Sequence, residues 1–140
     1  MHAGVHCLLA TGLALGLGAA AVQAQAPAIP PKYKASAIEV AQLPRYCYAQ
    51  YVDGALGNNP AYSIPHELCG YGMNHFCPAL VYMIQASDFK RPRNERRGLA
   101  GSALHEINYT IQNMKPGCHI TADVFKAKER AQALVNMLKY

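Results

Sequence analysis

Thr121-Ala122-Asp123-Val124-Phe125-Lys126-Ala127-Lys128-Glu129-Arg130-Ala131-Gln132-Ala133-Leu134-Val135-Asn136-Met137-Leu138 carries its apolar residues in a single stripe. Val124, Ala127, Ala131, Leu134 and Leu138 recur at alternating steps of three and four, the spacing that puts side chains on one face of an α-helix. Thr121 stands where a capping hydroxyl would serve. The stripe is too short for a coiled coil, so the helix is expected to pack on its own domain. Upstream, Lys115-Pro116-Gly117 is a helix stop, and Leu99/Ala100, Ala103/Leu104, Ile107, Ile111 and Met114 line one face of a helix before it. Farther back, Pro78 suits a helix's first turn, and Leu80, Val81, Met83, Ile84 and Ala86 continue an apolar helix to near Asp88. No segment alternates with the period of two that a half-buried strand requires. The expectation is an all-α fold whose last three helices, joined by short turns, pack antiparallel as a layer.

The chain before this layer reads as shorter pieces. Ser36-Ala37-Ile38-Glu39 matches a capping box, so a short helix should begin there and stop near Leu43. Pro44 disfavours a helical residue before it and can open another helix through Arg45 to Tyr51. In that piece Tyr46, Tyr48 and Tyr51 are candidates for an interaction surface, with burial of two of them as their ordinary use. From Gly54 to Gly72, Gly, Asn and Pro dominate with no sustained apolar period, which predicts a long loop pinned at Cys69.

The N-terminus reads as an export signal. An unbroken run of apolar and small residues from Leu8 to Val22 leads to Val22-Gln23-Ala24 and Ala24-Gln25-Ala26, so a signal peptide over 1–26 is expected to be cut after Ala24 or Ala26. The run is shorter than the ~20 residues of a membrane-spanning helix, and prolines follow it. Cys7 precedes the run and cannot serve as a lipoprotein-type acceptor. Residues 27–35 form an extended lead-in, and 36–140 the helical domain. The reading places the mature protein in the periplasm or outside the cell.

Cys47, Cys69, Cys77 and Cys118 then remain, an even set in a short exported chain, and predict two disulfides. Four cysteines allow three pairings. If the helices after Pro78 and after Thr121 run parallel on either side of the one between them, Cys77 and Cys118 lie at the same end, which favours Cys77–Cys118 and leaves Cys47–Cys69.

The net charge of +5 belongs wholly to the mature part. It is concentrated at Lys90, Arg91, Arg93, Arg96 and Arg97. The segment reads first as a solvated connector and helix start; as an interaction patch it would suit acidic lipid headgroups, anionic glycan or an acidic partner. Nucleic acid is not an expected partner of an exported chain.

Cys69-Gly70-Tyr71-Gly72-Met73-Asn74-His75-Phe76-Cys77-Pro78, with Ala79-Leu80-Val81, Tyr109-Thr110-Ile111 and Pro116-Gly117-Cys118, resembles a group of bacterial exported proteins with tetratricopeptide-like helical hairpins. In that group a C-G-x-G-x-N-H-aromatic-C segment opens the first helix of a hairpin. The resemblance spans roughly Pro44 to the C-terminus, with a closing proline at Pro116. It departs from the repeat in having no Trp and no Leu-Gly-x-x-Tyr pattern in the first helix, and only about one and a half repeats fit where at least three are usual. It implies a role in protein–protein interaction and no enzymatic activity.

His66, Cys69, His75 and Cys77 offer a zinc-like ligand inventory, but without a close Cys-x-x-Cys pair, and the thiols should be consumed in bridges. His75 is expected to hydrogen-bond or cap at the start of the helix through Pro78. A noncovalent haem would need Met73 with His75, or His105. His105-Glu106 lacks the second His of a zinc-protease helix, and Gly70 with Gly72 makes no dinucleotide fingerprint. Asn108-Tyr109-Thr110 formally matches a glycan acceptor inside a helix. The expectation is a non-enzymatic interaction module without cofactor, an accessory or structural subunit of a larger envelope or extracellular assembly. The alternative is a small periplasmic metal- or haem-binding protein using His66, His75 or His105.

Overall fold

The computed structural model of the chain describes residues 35–52, 56 and 59–140. The expected signal peptide and nearly all of the lead-in lie outside the described residues, as does part of the Gly54 to Gly72 loop. All regular elements among the described residues are helical. None of these helices is long and apolar enough to cross a membrane.

Three helices form the body: α3 (Phe76–Ser87), α4 (Arg93–Asn113) and α5 (Thr121–Leu138). The shorter α1 (Ala37–Ala41) and α2 (His66–Cys69) precede them. Helix α4 lies between α3 and α5 and packs extensively on both, whereas α3 and α5 touch each other far less. Ala86, Ala100 and Leu138 share one apolar cluster, which brings the end of α3, the start of α4 and the end of α5 together. The layer is therefore antiparallel, as the short turns require.

The stripes read from the sequence are the buried faces. Val124, Ala127, Ala131 and Leu138 of α5 are buried, as are Ala100, Ala103 and Ile107 of α4. Ala79, Ala86, Ala100 and Ala103 are all fully covered, small residues that let helix backbones approach closely. Phe76, Ile107 and Val124 are also wholly buried, each contributing roughly 1.5–3 kcal/mol of hydrophobic stabilisation.

The N-terminal arm follows its caps. Ser36 Oγ accepts from the Glu39 amide at 3.3 Å while Glu39 Oε2 accepts from the Ser36 amide at 2.6 Å, which completes the capping box of α1. The helix expected after Pro44 is a 3₁₀ helix, Arg45–Gln50. Six residues are too few to profit from α-helical cooperativity, and the tighter winding suits so short a piece. Of its tyrosines only Tyr51, just beyond its end, is fully buried, and Tyr46 and Tyr48 are half-buried. Within the expected loop, a 3₁₀ turn at Pro60–Tyr62 stacks Tyr62 on Tyr48, and α2 closes on Cys69.

The charged segment is connector and helix start: Lys90 and Arg91 precede α4, and Arg93, Arg96 and Arg97 lie in its first turns. One further expectation changes. Thr121 does not cap α5: it is the first helical residue, and its hydroxyl donates back to the Cys118 carbonyl at 2.6 Å.

The disulfides are Cys47–Cys77 and Cys69–Cys118, not Cys77–Cys118 and Cys47–Cys69. The parallel relation of α3 and α5 holds, but α4 keeps the two apart. Before α3, a 3₁₀ turn at Tyr71–His75 packs against α4, carrying Cys69 to the α4–α5 connection, where Cys118 lies. Cys77 is left to face the N-terminal arm.

Candidate functional site

The segment from Cys69 to Cys77 is accounted for residue by residue as a wrap around the end of α4. Gly70 has φ +92°, and a Cβ there would lie 2.4 Å from the Asn113 carbonyl oxygen. A Cβ on Gly72 would lie 2.6 Å from Asn113 Cβ. Both glycines exist so that the wrap can touch the helix. Thr110, fully buried on α4, places its hydroxyl 2.9 Å from the Glu106 carbonyl oxygen and 3.2 Å from that of Gly72, sharing one proton between them. The threonine of the formal Asn108-Tyr109-Thr110 sequon is thus a core residue, and Asn108 itself is half-buried. Met73 and Phe76 are buried, and the two cysteines tie the wrap at both ends.

His75 is drawn to α4. Its Nδ1 pairs with Glu106 Oε2, and its ring lies 4.3 Å from that of Tyr109. Instead of capping α3, where it makes no side-chain cap, it joins the wrap to the middle helix. His66 packs edge-on against Tyr71, and His105 is exposed on α4. The four residues of the zinc-like inventory are dispersed: Cys69 and Cys77 are in different disulfides, and His66 and His75 have separate partners. Met73, the candidate haem partner, is in the core. Among the described residues, one group of three has metal-ligating atoms all within 4.8 Å: Cys69, Cys118 and His119. His119 carried no motif in the sequence, because its neighbour Cys69 is fifty residues away.

The basic segment is divided by the fold. Arg96 is buried, donates from Nε to the Ala86 carbonyl at 2.8 Å, and lies 4.4 Å over the Phe89 ring. It thereby satisfies a carbonyl at the end of α3 and fastens the α3–α4 turn. Arg91 faces Glu39, Asp88 and Glu95. Lys90, Arg93 and Arg97 remain exposed.

A concavity lies elsewhere, between α3, α5 and the N-terminal arm. A cleft of about 490 Å³ is lined by Gln42, Leu43, Pro44, Leu80, Met83, Ile84, Ser87 and Arg130. It continues past Leu80 and Arg130 into a smaller hollow bounded by Tyr46, Phe76, Asp123 and Lys126. The lining mixes apolar side chains from Leu43, Pro44, Leu80 and Ile84 with the polar Gln42 and Ser87, and Arg130 and Lys126 supply positive charge, with neither in an ion pair among the described residues. Asp123 is engaged: it accepts from the Tyr46 hydroxyl at 3.0 Å. Burial first, then that hydrogen bond and the aspartate's charge, hold the Tyr46 phenol protonated well above its ordinary range. One sequence signal pointed here. Helix α3 is apolar on more than the one face needed to pack on α4, and its half-buried Leu80 and Ile84 line the cleft.

Compared with known proteins, the chain matches no family model, no curated protein and no solved structure.

Proposed function

We propose that this is an exported, non-enzymatic protein-interaction module, an accessory or structural subunit of a larger envelope or extracellular assembly, that receives its partner in the cleft between α3 and α5. The observation that carries the reading is the cleft itself, where Leu43, Pro44, Leu80 and Ile84 lie beside Gln42, Ser87 and Arg130, the arginine in no ion pair among the described residues. A lining of apolar and polar side chains with Arg130 and Lys126 along it suits a partner segment of complementary character, an apolar stretch bearing an acidic residue. The tetratricopeptide-like reading of the helices supports the same role, with the N-terminal arm and its disulfide standing in for absent repeats. Export is supported by the sequence from Leu8 to Ala26 and by the two disulfides, which persist in oxidising compartments. Periplasmic residence or secretion follows from the same reading.

Gentle purification of the tagged protein from native envelope and culture fluid tests the proposal. A stoichiometric partner should co-purify with the wild type and be lost from Arg130→Glu combined with Lys126→Glu, exposed changes that leave the core intact. Recovery of the wild type as a free monomer from both fractions would refute it.

A further inference from the structure

We propose that reduction of Cys69–Cys118 opens a two-thiolate, one-imidazole site, formed by Cys69, Cys118 and His119, for a thiophilic d¹⁰ cation, zinc or cuprous copper. Three observations place it. First, the Nδ1 atom of His119 lies 3.7 Å from Cys69 Sγ. Ligands on a tetrahedral zinc, with Zn–S of ~2.3 Å and Zn–N of ~2.0–2.1 Å, stand about 3.6 Å apart, so imidazole and sulfur already have the required spacing. Second, both cysteines are buried while His119 is exposed, which gives the cation an approach and leaves a coordination position open to solvent or a fourth ligand.

Third, the two cysteine-bearing segments are held together without the disulfide. The Lys115 amide donates to the Cys69 carbonyl at 3.0 Å, and Lys115 Nζ donates to the Glu67 carbonyl at 2.9 Å. Gly70 and Gly72 pack directly on Asn113. The reduced sulfurs need only separate to the roughly 3.8 Å of two thiolates on one tetrahedral zinc. Cys47–Cys77 has no such surroundings, since no group of three ligating side chains includes either residue among the described ones.

The chemistry balances with a dithiol as reductant. Two electrons from the dithiol cleave the Cys69–Cys118 bond, its own sulfurs join as a disulfide, and its two protons pass to Cys69 and Cys118. The incoming cation then displaces both protons, taking the sulfurs as thiolates and the Nδ1 lone pair of His119. Metal occupancy would thus depend on the redox state of the compartment. It is separate from the cleft between α3 and α5.

The test uses the protein as exported, reduced anaerobically with a dithiol, freed of reductant and titrated with cobalt(II) as a spectroscopic reporter for zinc, and separately with cuprous ion. Expected is one equivalent of cobalt with thiolate-to-metal charge-transfer bands, displaced by zinc, and two protons released per ion. His119→Ala, which alters an exposed side chain and keeps all four cysteines, should weaken binding by at least about tenfold. Cys69→Ser with Cys118→Ser should abolish it. Helical circular dichroism recorded alongside follows folding. Failure of the reduced wild type to bind either cation, equal affinity in His119→Ala, retention of binding in the double serine variant, or a reduced chain that unfolds and is not refolded by zinc would each overturn the proposal.

Discussion

The α4–α5 hairpin and the stretch running from the arm through the wrap are held by different means. In the hairpin, two helices of 21 and 18 residues bury repeating small and branched side chains, and no covalent bond joins the helices themselves. Before α3, the described elements are 3₁₀ turns and helices of three to six residues, none able to bury a full face. There each end of the wrap is tied by a disulfide. Helices of that length are marginal in water, so the cross-links supply what local cooperativity cannot. Stability in this chain moves from covalent constraint to packing as helix length grows.

The comparison breaks most readily at the disulfides. Closing loops of 30 and 49 residues, each should contribute on the order of 3–4 kcal/mol through the unfolded chain. Cys47→Ser with Cys77→Ser should lower the thermal midpoint by roughly 15 °C, while helical dichroism from α4 and α5 persists until the main transition. Peptide mapping of unreduced protein should return Cys47–Cys77 and Cys69–Cys118; any other pairing refutes the wrap. A somewhat smaller loss is expected from Gly70→Val, which forces a branched side chain into a positive-φ position against the Asn113 carbonyl. Its cost should be about 2–3 kcal/mol by urea unfolding, whereas Gly101→Ala on the open face of α4 should stabilise slightly.

Arg96→Met tests whether the α3–α4 turn belongs to the packed side of the comparison. It leaves the Ala86 carbonyl without its charged donor and should cost about 1.5 kcal/mol; Arg93→Met, exposed, should cost almost nothing. An equal effect of the two would refute the structural role of Arg96. The smallest effect is expected at Tyr46, which joins the arm to α5 through Asp123. Tyr46→Phe should cost about 1 kcal/mol near neutral pH. Because the folded-state value of the phenol is raised, its contribution is complete below the ordinary value of 10.0 and is lost as pH rises beyond it toward the folded value. Stability curves of wild type and Tyr46→Phe should therefore converge above that pH. Curves that stay parallel through the alkaline range would exclude the linkage.

Much of the helical layer was legible because its information is local. The stripe of α5, the α4 face around Ala103 and Ile107, and the box at Ser36 and Glu39 each depend on residues within a few positions, and the structure places all of them as read. Cysteine number and chain character likewise predicted two disulfides. What tertiary structure alone decided is which distant groups meet. Tyr71–His75 crosses α4 because two glycines allow backbone contact with Asn113, and that crossing exchanges the expected cysteine partners. The same crossing gives His75 to Glu106 and sets His119 beside Cys69. Arg96 left the basic segment for the core when the α3–α4 turn put an unpaired carbonyl within its reach. Periodicity specifies the face a helix buries, but the partner across that face depends on close approaches between residues far apart in the chain, and no local pattern records them.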